Sequence, residues 1–425
     1  MALKKKSRPR RWHLARLAQR HEGEASVVRN DDPTYRALCR LLSGQACPEF
    51  HRRADAALTS PISPDDWHLL AATARREGIS PLLHAELKEG AADSIPDPLL
   101  RSLEGQYFAS LARNTLVYHE LGAILELLRS EGLQVILLKG AALAGMIYPN
   151  IALRPMSDVD LLIRAPNLPR VQEILIGRGY GFSADRTREF DRRFGGGKTS
   201  IRQTPYPMSI DLHWRLLEWP PGQQAVLLTE WLWSSALERT VCDIPALVLS
   251  PEAQVLHLTS HLAKHRWQRL LWFYDVAQVL QCYEEELDWD LILAKATEFE
   301  ILKALQVTLA RTVELLAPPL PSGVLERVES KRVSLREKAA FALLTARDNY
   351  AAILLSIISK DRLLRKARFL ATVAFPSAEF MIERYQLSDR RKLPLYYVCR
   401  LGSWFYPLLR SLLSVLSQAL FRRGR

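Results

Sequence analysis

Cysteine is scarce in this chain: five in 425 residues (Cys39, Cys47, Cys242, Cys282, Cys399), none in a C-x-x-C pair. That spacing excludes a thiolate zinc ribbon and a disulfide scaffold, and an odd, scattered set suits a reducing cytoplasm. Long apolar runs are missing too. No stretch reaches the ~18 uninterrupted apolar residues of a membrane-spanning helix; Trp404–Leu416 comes nearest and carries Arg410 and Ser411. The first twenty residues contain no acid and no apolar h-region, so they do not read as a secretory signal. No internal repeat is present. The expectation is a cytoplasmic protein without an integral membrane segment.

What is present is an ordinary globular composition, 48% apolar and 24% charged, with a net charge of +12 that is unevenly placed. Residues 1–20 hold eight Lys/Arg and residues 361–425 hold thirteen against four acids, which leaves the middle five charges negative. Basic ends suit contact with a polyanion, nucleic acid or membrane surface; a solvated tail is the plainer reading of the first twenty. The C-terminal stretch 362–425 mixes Arg and Lys with aromatics, which suits single-stranded nucleic acid, a membrane interface or the anchors of a helical core.

Hydropathy divides the chain into a basic tail (1–30), a helical region (31–132), a core with strands (133–245) and a second helical region with a basic end (246–425). Leu103, Tyr107, Leu111, Tyr118, Leu121, Leu125 and Leu128 recur at helical spacing, and the helix ends at Gly132. The pattern then changes. Val135–Leu138 reads as a buried strand, Ala141–Tyr148 as a helix and Asp158–Ile163 as a second strand. A helix follows at Leu168–Ile176, and strands at 198–203 and 208–214 are joined by a turn. From about residue 250 the chain is helical again, broken at Pro318–Pro321. The expected class is mixed α/β: a small mixed sheet embedded in a largely α-helical protein.

Chemistry concentrates in the strands. Asp158 and Asp160 are two apart, so alternation places both carboxylates on one face. Paired acids repel and cost stability unless a cation lies between them; hard oxygen ligands on a rigid strand suit Mg²⁺ or Mn²⁺. A structural D-x-D at a strand start is the plainer reading of that tripeptide alone. Its neighbours shift the balance. Lys139-Gly140 sits at a strand-to-helix turn, where glycine admits a phosphate and the helix N-terminus favours an anion. Asp211 offers a third carboxylate on another strand, sharing a face with His213. A glycine turn, a paired acid and a third acid form the layout of two-metal phosphoryl transfer.

Arg154 either pairs with a nucleotide phosphate or braces Asp158, and His213 reads first as a hydrogen-bonded strand histidine. A helix read over 255–280 aligns His257, His261, Lys264, Gln268 and Asp275 on one polar stripe, which faces a cleft or forms a seam between helices. Its His-x3-His-x3-His spacing is compatible with zinc, but no H-E-x-x-H accompanies it. Gly195-Gly-Gly-Lys-Thr-Ser looks like a phosphate loop, but Arg192 stands where that motif needs glycine, so a flexible turn is preferred.

The strand–KG–helix followed by DxD and a separate Asp resembles the nucleotidyltransferase fold of the DNA polymerase β superfamily. More narrowly, LKGAALAGMIYP, LRPMSDVDLLI, IDLHW and HLAKHRWQRLLWFYDVAQVL resemble a bacterial family of uncharacterised nucleotidyltransferases over roughly residues 100–285. The resemblance implies a sheet of the nucleotidyltransferase type, Asp158, Asp160 and Asp211 as catalytic metal ligands for Mg²⁺ or Mn²⁺, and Gly140 as the phosphate-contacting glycine with Lys139 beside it. Arg154 and Lys264 join them as candidate nucleotide-binding residues. The activity so implied moves an NMP group from an NTP to an acceptor hydroxyl, releasing pyrophosphate; the acceptor is open among an RNA end, a protein, a sugar and a small molecule. Two departures stand out: Ala141 replaces the usual Ser after the glycine, and the connection from Gly140 to Asp158 is long. The alternatives are a non-catalytic nucleotide- or partner-binding accessory protein, or a peripheral membrane protein of an envelope or peptide biosynthesis pathway.

Overall fold

The computed structural model describes residues 33–46, 64–90, 96–182, 197–202, 206–215 and 223–345, with residue 371 and residues 374–385, 387 and 389–402 beyond them. The basic tail at 1–30, the glycines of the Gly195–Ser200 loop before Gly197, and most of the basic aromatic stretch at 362–425 lie outside the described residues.

Four helices come first: α1 (Pro33–Ala46), α2 (Pro64–Glu77), α3 (Ser80–Gly90) and the long α4 (Asp97–Ser130). Helix α4 stops at the expected glycine. Gly132 takes φ +69, and Leu133 N–H reaches back to Leu128 O, closing the last turn as only an easily left-handed residue allows. The α/β part follows as β1 (Val135–Leu138), α5 (Lys139–Met146), β2 (Val159–Ile163), α6 (Leu168–Gly177), β3 (Gly181–Phe182), β4 (Gly197–Arg202), β5 (Met208–His213), α7 (Gln223–Ser234), β6 (Leu237–Val241) and β7 (Ile244–Val248). Helices α8 (Pro251–Lys264), α9 (Leu270–Cys282), α10 (Trp289–Glu298), α11 (Leu302–Leu316), α12 (Val324–Ser330), α13 (Leu335–Thr345) and α14 (Ala378–Tyr385) follow, with further helical residues at 393–402 and short 3-10 turns at Ile151–Leu153, Ala165–Asn167 and Arg390–Lys392.

The strands form one seven-stranded mixed sheet in the order β3-β4-β5-β2-β1-β7-β6. β2 runs parallel to β5 and β1 parallel to β7; the other neighbours are antiparallel. The class is the expected mixed α/β sheet within a mostly helical chain. β1 and β2 lie at its centre and are buried along their whole length, which is why they read as unbroken apolar runs.

Alternation splits the sheet between two cores. Val135, Leu137, Leu161 and Ile163 face α4, α5 and α6, while Ile136, Leu138 and Leu162 face a larger helical layer. That layer joins helices from both ends of the described chain: Leu38 and Leu42 of α1 and Leu82 and Leu83 of α3 share it with Leu256 and Phe273 of α8 and α9. Asp160 has the parity of Leu162, so the acids open toward this helical layer.

Three readings change. The helix expected over 255–280 is two helices, because Arg266 and Trp267 adopt left-handed backbone (φ +55 and +54) and Trp267 N–H closes onto Leu262 O. Asp275 therefore belongs to α9 and not to the α8 stripe. The hairpin β6–β7 and helix α7 were not expected; its turn is Cys242-Asp243, both at positive φ without glycine.

Candidate active site

The DxD loop is held from below. On α4, Arg113 donates to Met156 O (2.7 Å) and Ser157 O (2.8 Å), and the fully buried Asn114 donates to Ile151 O (2.6 Å) and Arg154 O (2.9 Å). Four backbone carbonyls are thereby satisfied just before β2, and the entry of Asp158 and Asp160 into the sheet is fixed. Sequence reasoning passed over both residues. The signal was slight, because Asn114 shares the buried face of α4 with other polar residues, Ser110 and Glu120.

Arg154 is one of the best-tied side chains in the molecule. Its Nε and Nη2 grip Asp275 Oδ1 and Oδ2 at 2.9 and 2.8 Å, its Nη1 donates to Pro155 O at 2.8 Å, and Tyr148 Oη donates to the same Asp275 at 2.7 Å. It does brace the structure, but through Asp275 on α9 and not through Asp158. With 7% of its surface exposed and each guanidinium nitrogen engaged, it faces inward. Burial opposes its charge, and Asp275 reverses that, so its pKa stands above the ordinary arginine value. The pair locks the loop before β2 to the helical layer. It also explains Gly140: a Cβ there would lie 3.0 Å from Arg154 Nη1 and 3.2 Å from Met156 Cγ. In this structure the close approach at the glycine is made by arginine.

Lys139 follows β1 and begins α5 at φ +48, a strained position for a residue with a Cβ. Its Nζ lies 2.7 Å from Asp160 Oδ1. His213 Nε2 lies 2.7 Å from the same oxygen. The register explains the convergence: β1 puts Leu138 opposite Asp160, and the parallel pairing of β2 and β5 sets Asp160 beside Asp211. Asp211 is thus on the same sheet face as Asp160. Among the described residues, Asp160, Asp211 and His213 place ligand atoms within 4.8 Å of one another. Asp158 is not in that trio; its Oδ1 accepts from Ser157 Oγ at 2.8 Å, while its charge still acts on Asp211.

The two central carboxylates sit in opposed environments. Burial alone would raise Asp160, but the Lys139 ammonium and then His213 hold it well below the usual carboxylate range. Asp211 is pushed up by burial and by the charges of Asp160 and Asp158, against the pull of the Thr199 hydroxyl, and its Oδ1 is buried with no partner among the described residues. An orphaned carboxylate oxygen beside a second carboxylate and an imidazole fits a divalent cation, and Lys139 shows that the Asp160 side of the trio already takes positive charge.

Helix α8 forms the wall opposite. His257 is 3% exposed and neither ring nitrogen has a partner among the described residues. It lines a cavity of about 10 Å³ with Lys139, Gln254, Leu137 and Leu249. Burial, followed by the Lys139 charge, lowers His257 to about 3, and holds His261 well below its ordinary value. Burial and Lys264 lower His265 to about 3. His261, His265 and Trp272 pack ring against ring, with centroids 4.7–5.0 Å apart. The charges of Lys139 and Asp160 act on His257, His261 and His265, the first two of them on the polar stripe of α8. Lys264, its last residue, is exposed and near enough for its charge to act on His257 and His265.

With this geometry in hand, comparison with known proteins adds one family. The family model described as "Uncharacterised nucleotidyltransferase" matches residues 63–317, more than half of the chain. Among solved structures, an antigenic nucleotidyltransferase-like protein from Paracoccidioides brasiliensis is similar at 17% identity, over 48% of this chain and 94% of that one, with a TM-score of 0.30, a likeness too slight to carry an argument. No curated protein matches the chain.

Proposed function

The chain belongs to the family of uncharacterised nucleotidyltransferases, and from that premise we propose that it transfers a nucleotidyl group from an NTP to an acceptor hydroxyl with the help of Mg²⁺ or Mn²⁺. The observation that carries the proposal is the in-register pairing of Asp160 and Asp211 on adjacent parallel strands, with one oxygen of Asp211 buried and unpartnered. Asp160, Asp211 and the adjacent Asp158 would hold the divalent cation, which supplies charge neutralisation at the α-phosphate and activation of the acceptor oxygen.

The rest is the work of side chains. Asp160, kept ionised by its cationic neighbours, is a fixed negative pole. Asp211, whose carboxyl is pushed up, is the better proton acceptor of the pair. In the transfer, the acceptor oxygen bonds to the α-phosphorus, the bond from that phosphorus to the bridging oxygen breaks, pyrophosphate leaves, and the hydroxyl proton passes to Asp211. Lys139, at the edge of the acid trio, is placed to exchange Asp160 for a phosphate oxygen, and Lys264 adds positive charge on the facing helix. Arg154 orients the DxD loop from behind. Gly140 admits Arg154 and thereby sets the turn that carries Lys139.

A second reading has its own observation. Lys139 neutralises Asp160 in the chain by itself, which suits a non-catalytic binding member of the family. One experiment separates the two. The protein is incubated with each α-labelled NTP, Mg²⁺ or Mn²⁺ and cell extract, beside Asp160→Asn and the double variant Asp158→Asn/Asp160→Asn. Label moved to a product by the wild type alone supports the transferase; label moved equally by all three removes it.

A further inference from the structure

We propose that His213 is itself a metal ligand, so that the ion is held by two carboxylates and one imidazole and the site prefers Mn²⁺ to Mg²⁺. This rests on the ion-dependent reading above, keeps Asp160 and Asp211 as ligands, and gives the place assigned there to Asp158 to a nitrogen donor from β5. His213 Nε2 lies 2.7 Å from Asp160 Oδ1, and Asp160, Asp211 and His213 each place one donor atom within 4.8 Å of the other two. An octahedral ion with bonds of about 2.1 Å sets neighbouring ligand atoms roughly 3 Å apart and opposite ones roughly 4.2 Å apart. The three donors, all within 4.8 Å of one another, stand close to that span. Asp158, by contrast, is outside this trio and accepts from Ser157.

The strands supply rigidity. β2 and β5 are paired from Val159–Ile210 to Leu162–His213, so the three donors are carried by hydrogen-bonded neighbours and not by a loop. His213 is 16% exposed at the side chain and Asp160 9%, enough for an ion to enter and too little for water to replace the donors freely. In the ion-free chain Nε2–H donates to Asp160. With an ion bound, the same nitrogen would serve as donor to it and the ring proton would be carried on Nδ1. Imidazole nitrogen is a softer donor than carboxylate oxygen. Mg²⁺ favours an all-oxygen sphere and sheds its waters reluctantly, whereas Mn²⁺ accepts nitrogen more readily.

The test reads the ion and not turnover. Mn²⁺ is titrated by electron paramagnetic resonance, with Mg²⁺ as competitor, into wild type, His213→Asp and Asp160→Asn. Electron spin-echo modulation is then recorded on Mn²⁺ bound to protein labelled with ¹⁵N-histidine. The expected result is ¹⁵N modulation in the wild type, lost in His213→Asp. The Mn²⁺-over-Mg²⁺ preference should shrink at least tenfold in His213→Asp, and Mn²⁺ affinity should fall at least tenfold in Asp160→Asn. The wild-type spectrum needs no variant to fold. Mn²⁺ that Asp160→Asn displaces but that shows no nitrogen modulation overturns the role of His213 and leaves the two-carboxylate site standing. Modulation that survives in His213→Asp gives the nitrogen to another histidine and also overturns it. Absence of any Mn²⁺ binding sensitive to Asp160→Asn overturns this proposal and the ion-dependent function together.

Discussion

Replacing His257 by leucine should flatten the acid limb of the stability curve. The ring is 3% exposed, both nitrogens lack partners, and its pKa falls to about 3 through burial and the Lys139 charge. An unfolded histidine titrates near 6.5. Above that value the ring is neutral in both states and costs nothing in protonation. Between about 6.5 and about 3 the unfolded chain binds a proton that the folded chain refuses, so stability drops as the pH falls. At 1.36 kcal/mol per pH unit, acidification from 7 to 5 removes about 2 kcal/mol on account of this one group. The leucine variant is spared that loss. At pH 7 its own stability should be unchanged or slightly higher, since no hydrogen bond is given up. Urea unfolding of wild type and variant at pH 7, 6 and 5 gives the difference directly, and titration of every other group cancels between them. Equal losses in the two proteins, within about 0.5 kcal/mol, would refute the account of a buried neutral ring.

Asp275→Ala strands the Arg154 guanidinium inside the protein and should cost about 3–5 kcal/mol in urea unfolding, whereas Arg154→Met/Asp275→Leu should recover most of it; a loss under about 1 kcal/mol for the single variant would deny the brace. Glu337 behaves oppositely to His257. Burial raises it to about 7, so its contribution is fully present below about 4.5 and is lost as the pH rises through 7. Glu337→Gln keeps the acceptor for the Lys303 N–H and should stabilise by up to ~3 kcal/mol at pH 8 and by nothing at pH 4, read by the same unfolding series. Asp211→Asn removes a buried charge crowded by Asp160 and Asp158, so Tm should rise in the absence of divalent ions and the gain from added Mn²⁺ should disappear.

The centre of the fold was legible because burial on both faces writes itself as an apolar run. Val135–Leu138 and Val159–Ile163 are each buried throughout, and period-two alternation placed Asp160, Asp211 and His213 on defined faces, whereas Asp158, expected to open the second strand, precedes it. Alternation cannot say which residue of one strand stands beside which of the next. The 160–211 register, and with it the approach of His213 to Asp160, is a tertiary fact. The break between α8 and α9 was hidden because Arg266 and Trp267 take a left-handed backbone that composition does not advertise, and the Cys242-Asp243 turn hid β6–β7 for the same reason. Arg154 was open between phosphate and brace, since its partner lies 121 residues further along.

Strand order explains why two neighbouring acids acquire different characters. β2 lies between β1 and β5, so Asp160 is next to the strand whose end carries Lys139; β5 lies between β2 and β4, so Asp211 is flanked by Asp160 on one side and Thr199 on the other. The ammonium reaches the inner carboxylate and holds it ionised. The outer one has a hydroxyl, an unpartnered buried oxygen and a like charge, and is pushed up. Opposed shifts on adjoining carboxyls divide permanent charge from proton traffic. Here the division follows from which strand each acid occupies, before any nucleotide or ion arrives. The α8 histidines, His257, His261 and His265, are held neutral beside this arrangement by burial and by the Lys139 charge.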